Sequence, residues 1–264
     1  MDTKNAIGIF DSGVGGTSIW KEINSLLPLE NTIYLSDSKN APYGEKSKEK
    51  ILELCIKNTE FLLQQNCKIV VVACNTATTN AIDYLRNRYK IKFIGIEPAI
   101  KPASLKTKTK KIGILATKGT LNSELFATTS KKISQEIEVI EQIGEGLVDL
   151  IENGELNSAS MTSLLKFHLE KMVKKDIDCL VLGCTHYPYL IPQIQKIIGN
   201  KIQIIDSGQA VAKQTKAVLE QENLLNKNID TDILHQFYIN KDKNVLENLL
   251  LEYQNKIKTE ELNF

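Results

Sequence analysis

The chain has 264 residues, and its 33 basic and 32 acidic side chains give a formal net charge of +1 at pH 7. A balanced charge of this kind provides no general attraction for nucleic acid or for an anionic membrane surface. The hydrophobic fraction of 42% is typical of a globular protein and supplies enough apolar material for a sizeable core.

The N-terminal residues lack the pattern of a signal peptide, because no long apolar region follows a basic start. The longest apolar run has six residues (69–74), whereas a membrane-spanning helix needs about 20. We therefore expect a cytoplasmic protein that neither enters a membrane nor binds nucleic acid. Its five cysteines are then expected to be reduced thiols, and an odd number does not suit a fully paired disulfide framework.

Short apolar runs alternate with longer amphipathic stretches along most of the chain. The runs are rich in Val and Ile and nearly continuous in apolarity, which is typical of strands buried on both faces. The predicted strands are residues 6–10, 32–35, 69–73, 93–96, 111–115, 137–140, 179–182 and 202–205. Helical patterns lie between them, for example at 47–65, 80–89 and 161–175. This alternation predicts an α/β fold built on parallel sheets.

The two halves of the chain resemble each other. IGIF at 7–10 corresponds to IGIL at 112–115, an offset of 105 residues. VVACNTA around Cys74 corresponds to VLGCTHY around Cys184, an offset of 110 residues. A third pair, FIGIEP and IQIIDS, follows in the same order. Three pairs in one order at a nearly constant offset predict two related, pseudo-symmetric α/β domains.

We place the domain boundary near the proline-containing, basic stretch that follows the first repeat. The expected first domain contains residues 1–98, and the expected second domain contains residues 99–207. Residues 208–264 look helical and polar and have no counterpart in the second repeat. We expect these C-terminal helices to pack back onto the first domain.

Ligands of open α/β sheets bind at the carboxyl ends of the strands. The first such end carries DSGVGG at 11–16, a glycine-rich turn whose backbone N–H groups could face an anion. It lacks the third Gly or Ala of a dinucleotide-binding fingerprint, because position 18 is serine. A tight turn between a strand and a helix would explain these glycines equally well.

Two further strand ends each carry a cysteine, in ACNT (73–76) and GCTH (183–186). A following helix N-terminus favours a thiolate at such a position. Asn75, Thr76 and Thr185 could donate hydrogen bonds to a ligand carboxylate. If the related domains pack pseudo-symmetrically, the two thiols will face each other.

The other three cysteines, Cys55, Cys67 and Cys179, are interpreted as small buried hydrophobic residues. Cys184 and His186 are metal-ligand types, but Cys-x-His without CxxC or HxxxH is a weak signal. We therefore expect neither a metal nor a cofactor.

A fourth candidate segment combines Ser36-Asp37 with Pro42-Tyr43-Gly44, a rigid turn that could present backbone N–H groups and a phenol to a ligand. ATKGT at 116–120 occupies the loop of the second half that corresponds to DSGVGG.

Two opposed thiols suit the inversion of a carbon stereocentre that bears a weakly acidic proton. One thiolate removes the proton while the other group, as a thiol, protonates the opposite face. Both groups must lie close to the carbon, in a site that is shielded from water.

As a set, these motifs resemble the glutamate racemases, within the aspartate/glutamate racemase superfamily. The resemblance runs from residue 7 to about 208 and rests on IGIFDSGVGG (7–16), SD (36–37), PYG (42–44), VACNTA (72–77), ATKGT (116–120), GCTHYP (183–188) and IDSG (205–208). It implies two α/β domains with the active site in the cleft between them. It also implies cofactor-independent interconversion of L- and D-glutamate, which supplies D-glutamate for peptidoglycan, and a homodimer.

The same resemblance assigns roles to individual residues. Cys74 would be the base for D-glutamate, assisted by Asp11, and Cys184 the base for L-glutamate, assisted by His186. Glu152, in LIENGEL, resembles the family's further acidic residue near that histidine. The expected substrate contacts are Asp11, Ser12, Tyr43, Gly44, Asn75, Thr76, Thr117, Thr120, Thr185 and His186.

Three alternatives stay open. An aspartate racemase, or another superfamily member acting on a small dicarboxylate, differs by as little as one methylene of substrate, and no residue decides that length. A thiol-dependent hydrolase would use Cys184 and His186 as nucleophile and base. We expect residues two apart to be poorly placed for that pairing, which would also leave Cys74 unused. A non-catalytic protein that binds an anionic metabolite would need no thiols.

Overall fold

The computed structural model describes residues 2–133, 136–228 and 233–264. In chain order its strands are β1 (Ile7–Asp11), β2 (Thr32–Ser36), β3 (Ile69–Val72), β4 (Phe93–Gly95), β5 (Lys111–Ala116), β6 (Glu138–Ile143), β7 (Cys179–Gly183), β8 (Gln203–Ile205), β9 (His235–Ile239) and β10 (Ile257–Glu261). Every pair of neighbouring strands is parallel.

The helices connect these strands and cover their faces. They are α1 (Thr17–Leu26), α2 (Lys48–Gln64), α3 (Asn75–Arg88), α4 (Ile100–Lys106), α5 (Lys118–Leu121), α6 (Glu124–Ile133), α7 (Leu147–Glu152), α8 (Ala159–Lys174), α9 (Ile191–Ile198), α10 (Gly208–Gln221) and α11 (Asn244–Leu249). Short 3₁₀ turns occupy Ser38–Asn40, Tyr43–Glu45, Tyr187–Leu190 and Leu251–Tyr253. No helix in the described part of the chain is long and apolar enough to cross a bilayer.

The strands form two sheets, which we call the first and second sheets. The first has the order β10-β9-β2-β1-β3-β4, and the second has the order β6-β5-β7-β8. The predicted α/β class with two parallel-sheet domains is confirmed. All eight predicted strands are present, and the end of each lies within three residues of its predicted position.

The C-terminal segment differs from its prediction. Residues 208–264 contain the helices α10 and α11, but they also contain the strands β9 and β10, so the expectation of helices alone is wrong. Strand β9 pairs with β2, and β10 pairs with β9 at the edge of the first sheet. The edge strand has the sequence IKTEE and is half-buried or exposed throughout. Because an edge strand needs little apolar surface, its composition carries no clear strand signal.

Trp20 explains how the C-terminal strands are held against the first sheet. Its ring is fully buried and meets the ring of Phe237 edge-on, with centroids 4.9 Å apart. The indole N–H donates a hydrogen bond to Thr32 Oγ1 at 2.9 Å. A buried Trp of this kind combines a large apolar contact with a satisfied polar group.

Lys68 and Glu30 form a buried ion pair beside the first sheet, with side chains 0% and 1% exposed. Lys68 Nζ also donates to Thr3 O at 2.6 Å, and Glu30 Oε1 accepts from Asn226 N at 2.8 Å. The pair therefore connects the N-terminal residues, the strand β3 and the segment after α10.

We predict that Lys68→Met lowers the free energy of unfolding by about 3–5 kcal/mol, because Glu30 would keep a buried charge without its counterion. Urea unfolding measures the change. Lys50→Met is the matched control, because Lys50 pairs with Glu53 at the surface, with side chains 47% and 67% exposed. The control should change the free energy by less than about 1 kcal/mol. Equal effects of the two substitutions would contradict the prediction.

Candidate active site

The carboxyl ends of the strands of the two sheets meet at a small, narrow cavity. The first sheet and its loops contribute Ser12, Pro42, Tyr43, Gly44, Cys74, Asn75 and Thr76 to the lining. The second contributes Thr117, Val148, Gly183, Cys184, Thr185 and His186. Each sheet thus presents one of the two cysteines to the same small space.

The predicted substrate contacts divide into two groups. Eight of the ten line the cavity, and Asp11 and Thr120 do not. Asp11 accepts a hydrogen bond from the lining residue Thr185 at 3.3 Å, and Thr120 Oγ1 lies 3.3 Å from Thr76 Oγ1. These two residues therefore reach the cavity through other side chains.

Cys74 lies between the strand β3 and the helix α3. Its Sγ accepts a hydrogen bond from Ala77 N at 3.4 Å, as the N-cap of the helix, and donates to Ser12 Oγ at 3.5 Å. Burial raises the pKa of the Cys74 thiol well above its ordinary value, and the Asp11 carboxylate raises it further. These surroundings hold Cys74 in its thiol form.

Cys184 follows the strand β7 and has a different neighbour. Its Sγ lies 3.7 Å from His186 Nδ1, and His186 Nε2 lies 2.6 Å from Glu152 Oε1. Burial lowers the pKa of His186, but its contacts with Cys184 and Glu152 outweigh burial and raise it well above the ordinary value. Burial likewise raises the pKa of Glu152, but hydrogen bonds from His186 and Ser38 outweigh it and lower the pKa. An imidazolium–carboxylate pair therefore stands beside Cys184.

The two thiols thus occupy related positions with opposite electrostatic surroundings. A carboxylate lies near Cys74, and a cation lies against Cys184. This contrast makes the two thiols electrostatically different, although they occupy equivalent strand ends. His186 contacts Cys184 although the two residues are only two apart in the chain.

Backbone N–H groups of the glycine-rich turn at 11–16 donate hydrogen bonds to carboxylate side chains of the protein itself. Val14 N donates to Glu152 Oε1 at 2.7 Å, and Gly16 N donates to Asp11 Oδ2 at 2.5 Å. A Cβ at Gly13 would overlap the Glu152 carboxylate. The absence of a side chain therefore allows Glu152, which comes from beside the second sheet, to reach the turn.

Tyr43 lines the cavity, but its hydroxyl is already engaged. It donates to the Asp37 carboxylate and accepts from Asn58 Nδ2 at 3.2 Å. Burial raises the pKa of Tyr43 well above its ordinary value, and Asp37 adds to the effect. The phenol expected to face a ligand instead fixes the turn that carries Gly44.

Polar side chains on the remaining walls supply donors and acceptors. The hydroxyls of Thr76, Thr117 and Thr120 form a cluster across the two sheets, with Thr76 Oγ1 2.8 Å from Thr117 Oγ1 and Thr117 Oγ1 3.0 Å from Thr120 Oγ1. Asn75 is different, because neither polar atom of its buried side-chain amide has a partner. Buried polar atoms without partners are rare, so this amide is the strongest candidate to bind a ligand.

Sequence reasoning did not find Ser38, which donates to Glu152 Oε2 at 2.7 Å. It lies in the 3₁₀ turn after β2 and is 4% exposed. The sequence indicates its neighbour Asp37 only as part of the SD motif. No local pattern identifies a serine whose partner lies 114 residues away in the chain.

Comparisons with known proteins agree with this geometry. The sequence model of the Asp/Glu/Hydantoin racemase family matches residues 8–215. A glutamate racemase of Ectopseudomonas mendocina is 45% identical over 220 residues, which make up 83% of this chain and 84% of that protein.

Two solved structures extend the similarity over almost the whole chain. The crystal structure of a glutamate racemase from Bacillus anthracis has a TM-score of 0.88 and 31% identity, covering 99% of this chain and 98% of that one. The glutamate racemase of Francisella tularensis, solved in complex with D-glutamate, has a TM-score of 0.84 and 30% identity, with the same coverage of 99% and 98%.

Asp11 provides a pH-dependent prediction. Burial raises the pKa of its fully buried carboxyl from 3.8 to about 6, although His186 opposes the change. Between about pH 4 and pH 6 the folded protein therefore holds a proton that the unfolded chain has released. This carboxyl makes the native state progressively less stable as the pH rises through that window.

We predict that Asp11→Asn, which cannot ionise, gains stability relative to the parent protein by about 2 kcal/mol between pH 4 and pH 6.5. Urea unfolding across this range measures the difference. Asp83→Asn is the control for the change of net charge, because it removes an exposed carboxylate. A flat profile for Asp11→Asn would contradict the prediction.

Proposed function

The chain belongs to the Asp/Glu/Hydantoin racemase family, and we infer that it is a glutamate racemase, which interconverts L- and D-glutamate without a cofactor. The observation that carries this inference is the pair of cysteines, Cys74 and Cys184, at one small cavity between two parallel sheets. Each cysteine comes from a different sheet, as a two-sided proton transfer requires.

In the proposed reaction of L-glutamate, the Cys184 thiolate removes the α-proton and the Cys74 thiol delivers its proton to the opposite face. The product is D-glutamate, and the step leaves Cys184 as a thiol and Cys74 as a thiolate. D-glutamate reacts by the reverse transfers. The starting protonation states are those favoured by His186 beside Cys184 and by Asp11 beside Cys74.

The α-proton of an amino acid is weakly acidic, so the carbanionic transition state needs fixed hydrogen-bond donors around the α-carboxylate. We assign this role to the cavity-lining groups of Asn75, Thr76 and Thr185. The unpartnered amide of Asn75 supports the assignment. The cavity is small and leaves little room for water beside a ligand, which protects the carbanion from uncontrolled protonation.

The alternatives are less well supported. Glutamate racemases are the relatives that match most of this chain at 45% identity, which favours glutamate over aspartate. The hydrolase hypothesis gains from the contact between Cys184 and His186, but His186 is already protonated and would be a poor base. Neither a hydrolase nor a binding protein gives Cys74 a role.

Further features follow from the same proposal. D-glutamate made by this enzyme would supply peptidoglycan synthesis in the cytoplasm, and the protein would act as a homodimer. We also propose that residues 1–98 with 208–264 form one domain and residues 99–207 the other. The pairing of β9 with β2 supports the placement of the C-terminal segment.

Circular dichroism tests the substrate directly. We predict that the signal of L-glutamate decays to zero with the purified protein and no added cofactor, because the equilibrium mixture is racemic. L-aspartate in parallel should keep its signal. Decay with aspartate alone would overturn the substrate but keep the two-thiol chemistry, and no decay with either would favour the hydrolase or the binding protein.

Substitution of the two cysteines tests the mechanism. We predict that Cys74→Ser and Cys184→Ser each lower kcat/KM by about 10²–10⁴-fold, because a hydroxyl is a much weaker acid and base for this transfer. The two enantiomers have equal free energy in water, so kcat/KM must fall equally for L- and D-glutamate in each variant. Polarimetry from both enantiomers measures these values.

The matched control is Cys179→Ser, which removes a buried thiol that does not line the cavity. It should keep kcat/KM within a few-fold of the parent protein. Near-normal turnover by Cys74→Ser or Cys184→Ser would exclude the two-thiol mechanism.

A further inference from the structure

Glu152 lies at the junction of the two sheets and depends on both. It is the last residue of α7 and only 6% exposed. A carboxylate at the C-terminal end of a helix is unfavourably placed, because the backbone carbonyls there carry partial negative charge. Its ionised form therefore needs hydrogen-bond donors from elsewhere.

Three donors reach the Glu152 carboxylate. Oε1 accepts from His186 Nε2 at 2.6 Å and from Val14 N at 2.7 Å. Oε2 accepts from Ser38 Oγ at 2.7 Å, and among the described residues Ser38 is its only donor. Val14 and Ser38 both belong to loops of the first sheet, so that sheet supplies two of the three donors.

Ser38 is itself held in position. Its Oγ lies 3.0 Å from Ser36 Oγ. Because the single hydroxyl hydrogen of Ser38 points to Glu152, Ser36 must donate to Ser38. The pair forms a short chain that starts at the end of β2 and stops at the carboxylate.

His186 has two hydrogen-bond arrangements within reach. Besides Glu152 Oε1, its Nε2 lies 3.2 Å from Gly15 N. Nε2 cannot donate to Glu152 and accept from Gly15 at once. With Glu152 ionised, Nε2–H donates to it and the ring is positive. With Glu152 neutral, Nε2 accepts from Gly15 and the hydrogen remains on Nδ1, toward Cys184.

We propose that Ser38 is a positioning residue for the Cys184 side of the reaction. Its hydrogen bond keeps Glu152 ionised, and the ionised Glu152 keeps His186 positively charged beside Cys184. The inference rests on the proposed function. The positive charge of His186 beside Cys184 would then depend on the contact between Glu152 and the loops of the first sheet. Substrate would then meet a charged His186 only when the two sheets are together.

The other titratable groups near Glu152 are Asp11, Tyr34, Cys184 and His186. The negative charge of Glu152 raises the pKa of Asp11 and of Tyr34, although burial is the larger cause for both. Among the described residues, His186 is the only cation paired with Glu152. Removing the Ser38 donor therefore acts mainly on the Glu152–His186 pair.

The test is the pH profile of kcat/KM for Ser38→Ala. Loss of the donor should raise the pKa of Glu152, so activity falls at a higher pH on the acid side. The alkaline limb should stay in place, because Glu152 is ionised both before and after His186 loses its proton. We expect the acid limb to move inward by about one pH unit. Ser38→Thr keeps the hydroxyl and should restore the parent profile.

Ser207→Ala is the matched control. Ser207 is 6% exposed and donates to Glu97 O at 2.5 Å, far from Glu152 in the chain. It loses one hydrogen bond of a buried serine and should leave both limbs in place. If Ser38→Ala does not fold, Ser38→Cys replaces it, because a thiol of similar size is a much weaker donor.

A second measurement separates this inference from the proposed function. Nitrogen-15 NMR of the His186 ring, identified by its loss in His186→Asn, follows the charge of His186 without any turnover. In Ser38→Ala the ionised form of Glu152 is less stable, so at a pH where the Glu152–His186 pair holds a single proton the ratio of charged to neutral His186 ring should fall by about tenfold. In a Glu152→Gln background, Ser38→Ala should cause no further change, because its effect passes through Glu152.

The outcomes are distinct. If the protein does not racemise glutamate but the ratio of charged to neutral His186 falls as described, the proposed function fails and the coupling stands. If the protein is an active racemase and Ser38→Ala keeps the parent acid limb and the parent ratio of charged to neutral His186, Ser38 has only a structural role and the inference is overturned.

Discussion

The candidate site depends on the hydrogen bonds that the buried Glu152 carboxylate accepts from both halves of the molecule. This carboxylate comes from beside the second sheet and is buried against the glycine-rich turn of the first. A side chain at Gly13 would occupy its place, and one at Gly15 would occupy that of the His186 ring. The glycines therefore serve the close approach of the two sheets, and this approach creates the cavity between the cysteines. A buried carboxylate without these donors would be costly, so the contact also favours the closed arrangement.

Repetition and asymmetry have separate origins in this protein. The internal repeat places a cysteine at the same strand end of each half, which gives two thiols of similar chemistry. Their neighbours break the equivalence, because Asp11 lies near Cys74 and His186 lies against Cys184. A racemase needs one acid and one base at any moment, and identical surroundings would give neither preference. The loops therefore decide the electrostatic surroundings of each thiol, while the repeated core decides only the positions.

Much of the fold follows from patterns that are local in the chain. Val- and Ile-rich runs identified all eight strands of the repeated halves, because strands buried on both faces must be almost wholly apolar. Apolarity does not identify β10, which has the sequence IKTEE. This strand lies at a sheet edge, where apolar side chains are not required. The pattern does not identify β9 either, because HQFYI is mixed in polarity, although four of its five residues are buried.

The sequence by itself determined the α/β class, the internal repeat and the residue types at the strand ends, because each of these is written in contiguous segments. Only the tertiary structure decided which groups meet. It placed Glu152 between His186 and Ser38, directed the Tyr43 hydroxyl to Asp37, and left the Asn75 amide without a partner in the cavity. These contacts join residues far apart in the chain. Charge and hydrogen bonding depend on distances that no local pattern encodes.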